Sequence, residues 1–353
     1  MFLNDAKKLI KATFRTQVET GQRFSIELES GPGMGKSESV KQVAEELSRE
    51  WGVPVGFTAE FLSTREPPDV AGFGLPSKDA DGTPIMVRTK APWMPKASDP
   101  QYGILLLDEF RQAGHDVQKP AAELLLNGAV GESKLPITWI VVACSNRERD
   151  RSGVQRELAF VTNRRLLIKV DPHLDTWVEW AETRGIHHIA IAFAKARPGL
   201  VFTDTVPEKP GPYCTPRVLV KLSYLLDSLP RDLLTEVASG YMGEGVGAEF
   251  MAFMRVVDEL PSYEDICANP SNAKLPERPD ASYAAMQMVA SRIDDKTSAQ
   301  AFTYLRRMGK EFQVAGVKAA LRRAPALATA PGFGQWISEH KSLVFSAALM
   351  DKK

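Results

Sequence analysis

The run Ser30-Gly31-Pro32-Gly33-Met34-Gly35-Lys36-Ser37 brings three glycines, a lysine and a hydroxyl together. Glycines let successive backbone N–H groups turn to one side and form a nest for an anion. A helix beginning at the end of the run adds its partial positive charge. Lys36 is then set for the β- and γ-phosphates of a nucleotide, and the Ser37 hydroxyl for Mg2+. One position departs from the general pattern GxxxxGK[ST], because Ser30 stands at the first glycine. Downstream, the apolar run Ile104–Leu107 ends in the acidic pair Asp108-Glu109. Asp108 is suited to hold magnesium through water, and Glu109 to polarise an attacking water. Phosphoryl transfer asks mainly for such positioning and charge neutralisation.

These residues need elements to carry them. Residues 24 to 29 alternate apolar and polar and read as a strand leading into the loop. Ser37–Trp51 follows, with Val40, Val43, Ala44 and Leu47 on one helical face. Val53–Leu62 reads as a second strand. Residues 64 to 100, rich in Pro, Gly and Asp, read as a long irregular insertion. Ile104–Leu107 suits a strand buried on both faces of a parallel sheet, with the acidic pair at the carboxyl end where such sheets bind ligands. Val117–Leu126 reads as a helix, Thr138–Cys144 as a buried strand and Leu166–Val170 as a short one. This alternation predicts an α/β parallel sheet with helices on both faces. From Asp171 the texture becomes helical with proline breaks, over Leu174–Ala196, Pro216–Ser228 and Arg231–Gly240. Pro207–Pro216 reads as a linker or loop. The expected organisation is a nucleotide-binding core over 1–170, a helical lid over 171–261 and a helical accessory domain over 262–353.

With those motifs in order, the chain resembles the AAA+ ATPases, and within them the MoxR-like branch, over roughly residues 20 to 230. Pro67-Pro68-Asp69-Val70-Ala71-Gly72 is similar to the segment that follows the family's second strand. Ala91-Pro92-Trp93 leads into the acidic strand as in the family. Asn127-Gly128 to Leu135-Pro136 resembles the hairpin before the polar sensor strand. Val142-Ala143-Cys144-Ser145-Asn146-Arg147 resembles the sensor 1 segment, which implies that Asn146 helps Glu109 hold the attacking water. Thr162-Asn163-Arg164-Arg165 falls where relatives carry Asp-Arg-Phe, so Arg164 aligns with the arginine finger. Asn163 replaces the acid and Arg165 the aromatic residue, which leaves open which arginine acts in trans. Thr215-Pro216-Arg217 resembles the start of the lid helix that carries the sensor 2 arginine.

The resemblance implies Mg2+-dependent ATP hydrolysis in a homo-oligomeric ring, usually a hexamer, that remodels or activates a protein client in the manner of a chaperone. It also implies a von Willebrand A domain protein as a partner. A site shared head to tail between copies closes into a ring or runs on as a filament. Two other readings compete: a nucleic-acid-dependent motor or loader, and a nucleotide-gated scaffold with little turnover. ATP rather than GTP is the family expectation.

The composition fits this picture. The chain has 353 residues, 44 basic and 44 acidic, so no net charge draws it to nucleic acid or anionic membrane. Scattered basic residues such as Arg88, Lys90 and Lys96 are what the nucleic-acid reading rests on. The three cysteines, Cys144, Cys214 and Cys267, lack CxxC spacing and point to a reducing compartment. The amphipathic stretch Met1–Phe14, with Lys7, Lys8 and Lys11, has no secretory h-region, and no run is long enough to span a bilayer. The expectation is a cytoplasmic protein. Adjacent His187 and His188 face different ways on a helix and read as packing or surface residues. Trp177 and Trp180 read as core. Arg147, Arg149 and Arg151 around Asp150 read either as a solvated charged turn or as an interface or nucleotide contact. In the insertion, Phe73, Trp93 and Met94 divide between local packing and a grip on substrate in a ring pore.

Overall fold

The computed structural model describes residues 1–150, 153–155 and 159–339. The chain divides into two compact units, one of Met1–His173 with Asp204–Val206 and one of Leu174–Thr203 with Pro207 onward.

The first unit is built on β1 (Ser25–Ser30), β2 (Val55–Phe61), β3 (Gly74–Lys78), β4 (Pro84–Arg88), β5 (Tyr102–Asp108), β6 (Ala129–Val130), β7 (Ser133–Lys134), β8 (Trp139–Asn146) and β9 (Leu166–Lys169). Five of these strands form a parallel sheet in the order β2-β5-β8-β1-β9. The helices are α1 (Leu3–Thr20), α2 (Lys36–Trp51), α3 (Pro67–Ala71), α4 (His115–Asn127) and α5 (Ala159–Thr162). Side chains alternate between faces along each strand. Ile104 and Leu106 of β5 join Ile26, Leu28, Ile140 and Val142 against α1 and α2. Leu105 and Leu107 join Val141 and Ala143 against α4. With both faces covered, Ile104–Leu107 before Asp108 is apolar at each position, as strands buried on both sides commonly are.

The apolar positions of α1 and α2 meet in one cluster: Ala6, Ile10 and Phe14 from the first, Val40, Val43, Ala44 and Leu47 from the second. Each larger side chain enclosed there contributes roughly 1.5–3 kcal/mol. Lys7 and Lys11 of α1 pair with Glu46 of α2 at 2.7 and 2.9 Å along the rim. α2 begins directly at Lys36, with Gly35 left-handed at φ 89° as its N-cap.

The alternating stretch 24 to 29 falls on strand β1, as expected, and every residue of β1 is buried. The polar face packs toward arginines rather than water, as described below. The stretch 64 to 100 is not irregular throughout, for it contains α3 and an antiparallel β3–β4 hairpin exposed along its whole length. The helical stretch 174 to 196 is interrupted, with helices Leu174–Thr183 and His188–Ala196 separated by a turn at left-handed Gly185. The small hairpin expected near Asn127–Pro136 forms between β6 and β7.

The second unit is helical. Helices Leu174–Thr183, His188–Ala196, Pro216–Ser223, Leu234–Met242 and Glu244–Asp258 surround Phe193, Phe250 and Phe253. Helices Tyr263–Ala268, Ser298–Arg306, Lys310–Arg323 and Phe333–Glu339 surround Phe302, Tyr304 and Leu305. Helix Pro279–Arg292 gives Ala284 to the first cluster and Ala285, Met286 and Val289 to the second, so it is buried around most of its circumference. Trp177 and Trp180 pack against the first cluster, their rings 6.4 Å apart. Residues 340–353 of the expected accessory domain lie outside the described residues.

No disulfide joins the three cysteines. Burial pushes the Cys214 thiol up to about 12. Cys144 is raised as well, first by burial and then by the Asp108 charge. Among the described residues no helix is long and apolar enough to cross a membrane.

Candidate nucleotide site

Three neighbouring strands end together. β1 runs into the glycine loop, β8 ends at Asn146 and β5 ends at Asp108, with Ser30 in register with Asn146. The loop turns through left-handed Gly33 and Gly35, at φ 74° and 89°, a region side chains other than glycine seldom adopt. Pro32 and Met34 fill the intervening positions. Gly31 is different: a Cβ there would stand 2.8 Å from Nη2 of Arg147, so the tip of that side chain would have to shift.

Lys36 gathers the strand ends. Its Nζ donates to the carbonyls of Ser30 and Gly31, each at 3.0 Å, to the Ser30 hydroxyl at 3.1 Å and to Oδ1 of Asn146 at 2.9 Å. Ser30, the departure from the glycine pattern, is thus itself a Lys36 partner. The Ser37 hydroxyl donates to Oδ2 of Asp108 at 2.5 Å, which joins the start of α2 to the end of β5. Asp108 Oδ1 accepts the Glu109 backbone N–H at 3.0 Å.

Glu109 has φ 57° and ψ 35° and is the one non-glycine residue with positive φ among the described residues. Such a backbone costs about 1–3 kcal/mol and persists where surrounding contacts hold it. Here the Ser63 hydroxyl binds the Glu109 carboxylate. The following 3-10 turn, Phe110–Gln112, is fastened from below. Arg111 accepts no freedom there: its backbone N–H donates to Ser145 Oγ at 3.3 Å, and its carbonyl receives Gln155 N–H at 2.8 Å. Gln112 Oε1 receives the Asn146 N–H at 3.4 Å.

Sequence reasoning missed the charges beneath this turn. Glu27 and Glu29 of β1 point toward the α4 face. Arg111 Nε stands 2.9 Å from Glu27, and its Nη2 binds Glu29. Arg165 Nε also binds Glu27, with the Arg165 side chain only 2% exposed. Arg164 beside it is exposed. The available signal was the polar half of β1: a strand feeding a phosphate loop lies inside its sheet, so carboxylates on it require cationic partners.

Trp93 is buried and donates its indole N–H to the Val70 carbonyl at 3.0 Å, so it packs locally. Met94 is partly buried against the same cluster. Phe73 is 59% exposed beside the hairpin. Arg217 lies exposed in the first turn of helix Pro216–Ser223, in the helical unit. Arg147 pairs with Asp150, and Arg147 and Arg149 both reach Asp204. Arg151 lies outside the described residues. His187 and His188 stack at 4.4 Å and line a cavity of about 210 Å³ in the helical unit with Glu182, Gln287 and Arg323. Burial, helped by His187 and Arg292, lowers His188 to about 3. Among the described residues no cluster of three or more His, Cys, Asp or Glu side chains is placed to hold a metal.

No family model matches the chain. No curated protein matches it either. Among solved structures, a RuvB variant from Thermotoga maritima is similar at 14% identity and a TM-score of 0.39, covering 77% of each chain. NtrX from Brucella abortus in complex with ADP is similar at 14% identity and a TM-score of 0.33, over 92% of this chain and 68% of that one. PCH-2 from C. elegans is similar at 13% identity and a TM-score of 0.33, over 74% of this chain and 64% of that one. At this level of likeness nothing passes from those proteins to this chain, and the site is read from its own residues.

Proposed function

We propose that this chain is a Mg2+-dependent ATPase of the AAA+ type. The carrying observation is the convergence of Lys36, Ser37, Asp108, Glu109 and Asn146 where β1, β5 and β8 end, with Lys36 2.9 Å from Asn146 and Ser37 2.5 Å from Asp108. The residues fit the groups the reading requires. The left-handed glycines shape an anion cradle, Lys36 supplies the cation, and a hydroxyl facing a carboxylate is an oxygen donor set suited to magnesium.

In this reading Gly31, Pro32, Gly33, Met34, Gly35, Lys36 and Ser37 hold the phosphates, and Ser37 with Asp108 would hold Mg2+. The bound metal supplies charge neutralisation at the β- and γ-phosphates. Glu109 orients the attacking water, assisted by the Asn146 amide. Its strained backbone aims the carboxylate, and Ser63 fixes the carboxylate until water and nucleotide compete for it.

Arg164 is the arginine we assign to the neighbouring copy's site, because Arg165 is turned inward onto Glu27 while Arg164 stays in solvent. An arginine given in trans is worth about 10³ to 10⁵ in rate among related NTPases. Arg217 takes the sensor 2 role by resemblance. The ring, a hexamer, the MoxR-like affiliation, the protein client, a von Willebrand A domain partner and a cytoplasmic setting belong to the same proposal and rest on the resemblance.

The test is ATP hydrolysis across protein concentration, with mass followed by light scattering. Turnover that rises cooperatively as a ring-sized species appears is the expected result. A monomer that binds ATP and never hydrolyses it would move the reading to a nucleotide-gated scaffold.

A further inference from the structure

Arg147 follows Asn146 directly and has no part in the roles assigned above. Its guanidinium lies over the start of the phosphate loop, so close to Gly31 that a Cβ there would meet Nη2 at 2.8 Å. The Gly31 carbonyl accepts from Lys36, and Lys36 also binds Asn146. The Lys36 ammonium and the Arg147 guanidinium therefore both reach Gly31.

Two carboxylates hold Arg147, and they differ. Asp150 belongs to the same turn, its side chain is 1% exposed, and it takes both Nε and Nη2 at 2.9 Å. Asp204 comes from a distant part of the sequence and is 54% exposed. Its carboxylate binds Nη1, and its carbonyl accepts from Nη2 at 3.1 Å. Arg149 also reaches Asp204, at 2.6 Å. The segment Asp204–Val206 packs with the nucleotide unit, while the residues on either side belong to the helical unit. Arg147 hydrogen bonding holds the Asp204 carboxyl below its ordinary range.

We propose that Arg147 is an in-chain arginine that reads the terminal phosphate of bound nucleotide, and that Asp204 is the partner it gives up to do so. This rests on the nucleotide reading above. Asp150 keeps the Nε edge and so continues to aim the group. The Nη1 edge is the exchangeable one. A terminal phosphate carries more charge than a carboxylate and accepts the planar guanidinium fork equally well, so it competes with Asp204 for that edge. Asp204, left with Arg149, then holds its segment less firmly. A diphosphate lacks the terminal group and leaves the Arg147–Asp204 pair in place. The exchange thus distinguishes a triphosphate from a diphosphate and passes the difference to Asp204–Val206.

The experiment measures ATP and ADP affinity of the full chain by calorimetry, in a Glu109→Gln background so that ATP persists. Asp204→Asn removes the competitor and should raise ATP affinity about three- to tenfold while leaving ADP within about twofold. Arg147→Gln should lower ATP affinity by about tenfold with ADP again little changed, and adding Asp204→Asn to it should change nothing further. An ion pair that only braces the fold would give an Asp204→Asn variant that is unchanged or weakened for both nucleotides, and that result overturns the proposal. Because Asp204 is exposed, this arm holds even if Arg147→Gln fails to fold. ATP binding that Lys36→Ala abolishes but Asp204→Asn leaves unaltered removes this proposal alone. No nucleotide binding by the parent chain removes the nucleotide reading and this proposal with it.

Discussion

In each unit of the molecule a buried glutamate lies between cations, and the two sites, at Glu27 and Glu182, differ in what those cations are attached to. In the sheet unit, Glu27 lies between Arg111 and Arg165. In the helical unit, Glu182 accepts from Arg322 at 3.0 Å and Gln287 at 2.9 Å, with Lys195 at 3.8 Å. Burial and pairing alone do not tell the two apart. Their chain neighbours do. Arg111 sits two residues past Glu109, and Arg165 directly follows Arg164. Lys195 and Arg322 sit on helices whose buried residues, Gln313 apart, are apolar or glycine and fill the cores. The same device therefore sets the direction of proposed catalytic side chains in one unit and joins helices in the other.

The comparison breaks most visibly at the chemistry it is meant to support. Glu109→Gln should lower turnover by at least about 10²- to 10³-fold while ATP binding is kept, because a water-orienting carboxylate acts in the transition state and not in binding. Single-turnover hydrolysis beside equilibrium binding checks this, and an unchanged rate would remove Glu109 from the mechanism. Lys36→Ala should instead lose the binding itself.

A sharper cut follows from Glu27→Gln set beside Glu182→Gln. Each removes the charge of a buried carboxylate that lies between cations, and each should cost about 3 kcal/mol in chemical denaturation. Only Glu27→Gln should also lower kcat, by about tenfold with KM little changed, since Arg111 then holds the Glu109 turn less well. Equal kcat for the two variants would mean that Glu27 is no more than a structural charge. Arg165→Ala should behave like Glu27→Gln in stability. Arg164→Ala should leave stability unaltered and lose turnover, because its side chain is in solvent.

The sequence made the local half of this legible. The glycine loop, the acidic pair and Asn146 are read within a few residues of themselves, and the apolar runs of β5 and β8 announce strands covered on both faces. The parallel sheet followed from them. What escaped depends on long-range pairing. Arg111 meets Glu29 across 82 positions and Arg165 meets Glu27 across 138. From the sequence, alternation places Glu27 and Glu29 on one face of a strand and says nothing of what covers that face. The β3–β4 hairpin escaped for the opposite reason. Both of its strands are exposed on both faces, so no burial rhythm marks them, and the Pro, Gly and Asp around them suggest only loop. Gly31 was legible as a loop residue, but its tight approach to Arg147 was not.

The smallest expected effect separates the two units by pH. In the helical unit, burial holds His188 at about 3, against an unfolded value near 6.5, with His187 and Arg292 adding to the shift. Between those values the unfolded chain binds a proton that the folded one does not, so stability is lost as pH falls from 6.5 toward 3. From pH 7 to pH 5 the loss from this residue comes to about 2 kcal/mol. In the sheet unit, burial raises Glu46, but hydrogen bonds from Lys7 and Lys11 outweigh it and leave its pKa lowered from 4.5. That contribution is intact above 4.5 and is lost only as pH falls below it. The helical unit should therefore weaken first on acidification. Urea unfolding at pH 7 and pH 5, with the parent beside His188→Phe, measures the difference. The parent should lose about 2 kcal/mol more than the variant. Equal losses would mean that His188 takes up its proton in the folded chain, and that the cavity it lines admits enough water to solvate the charge.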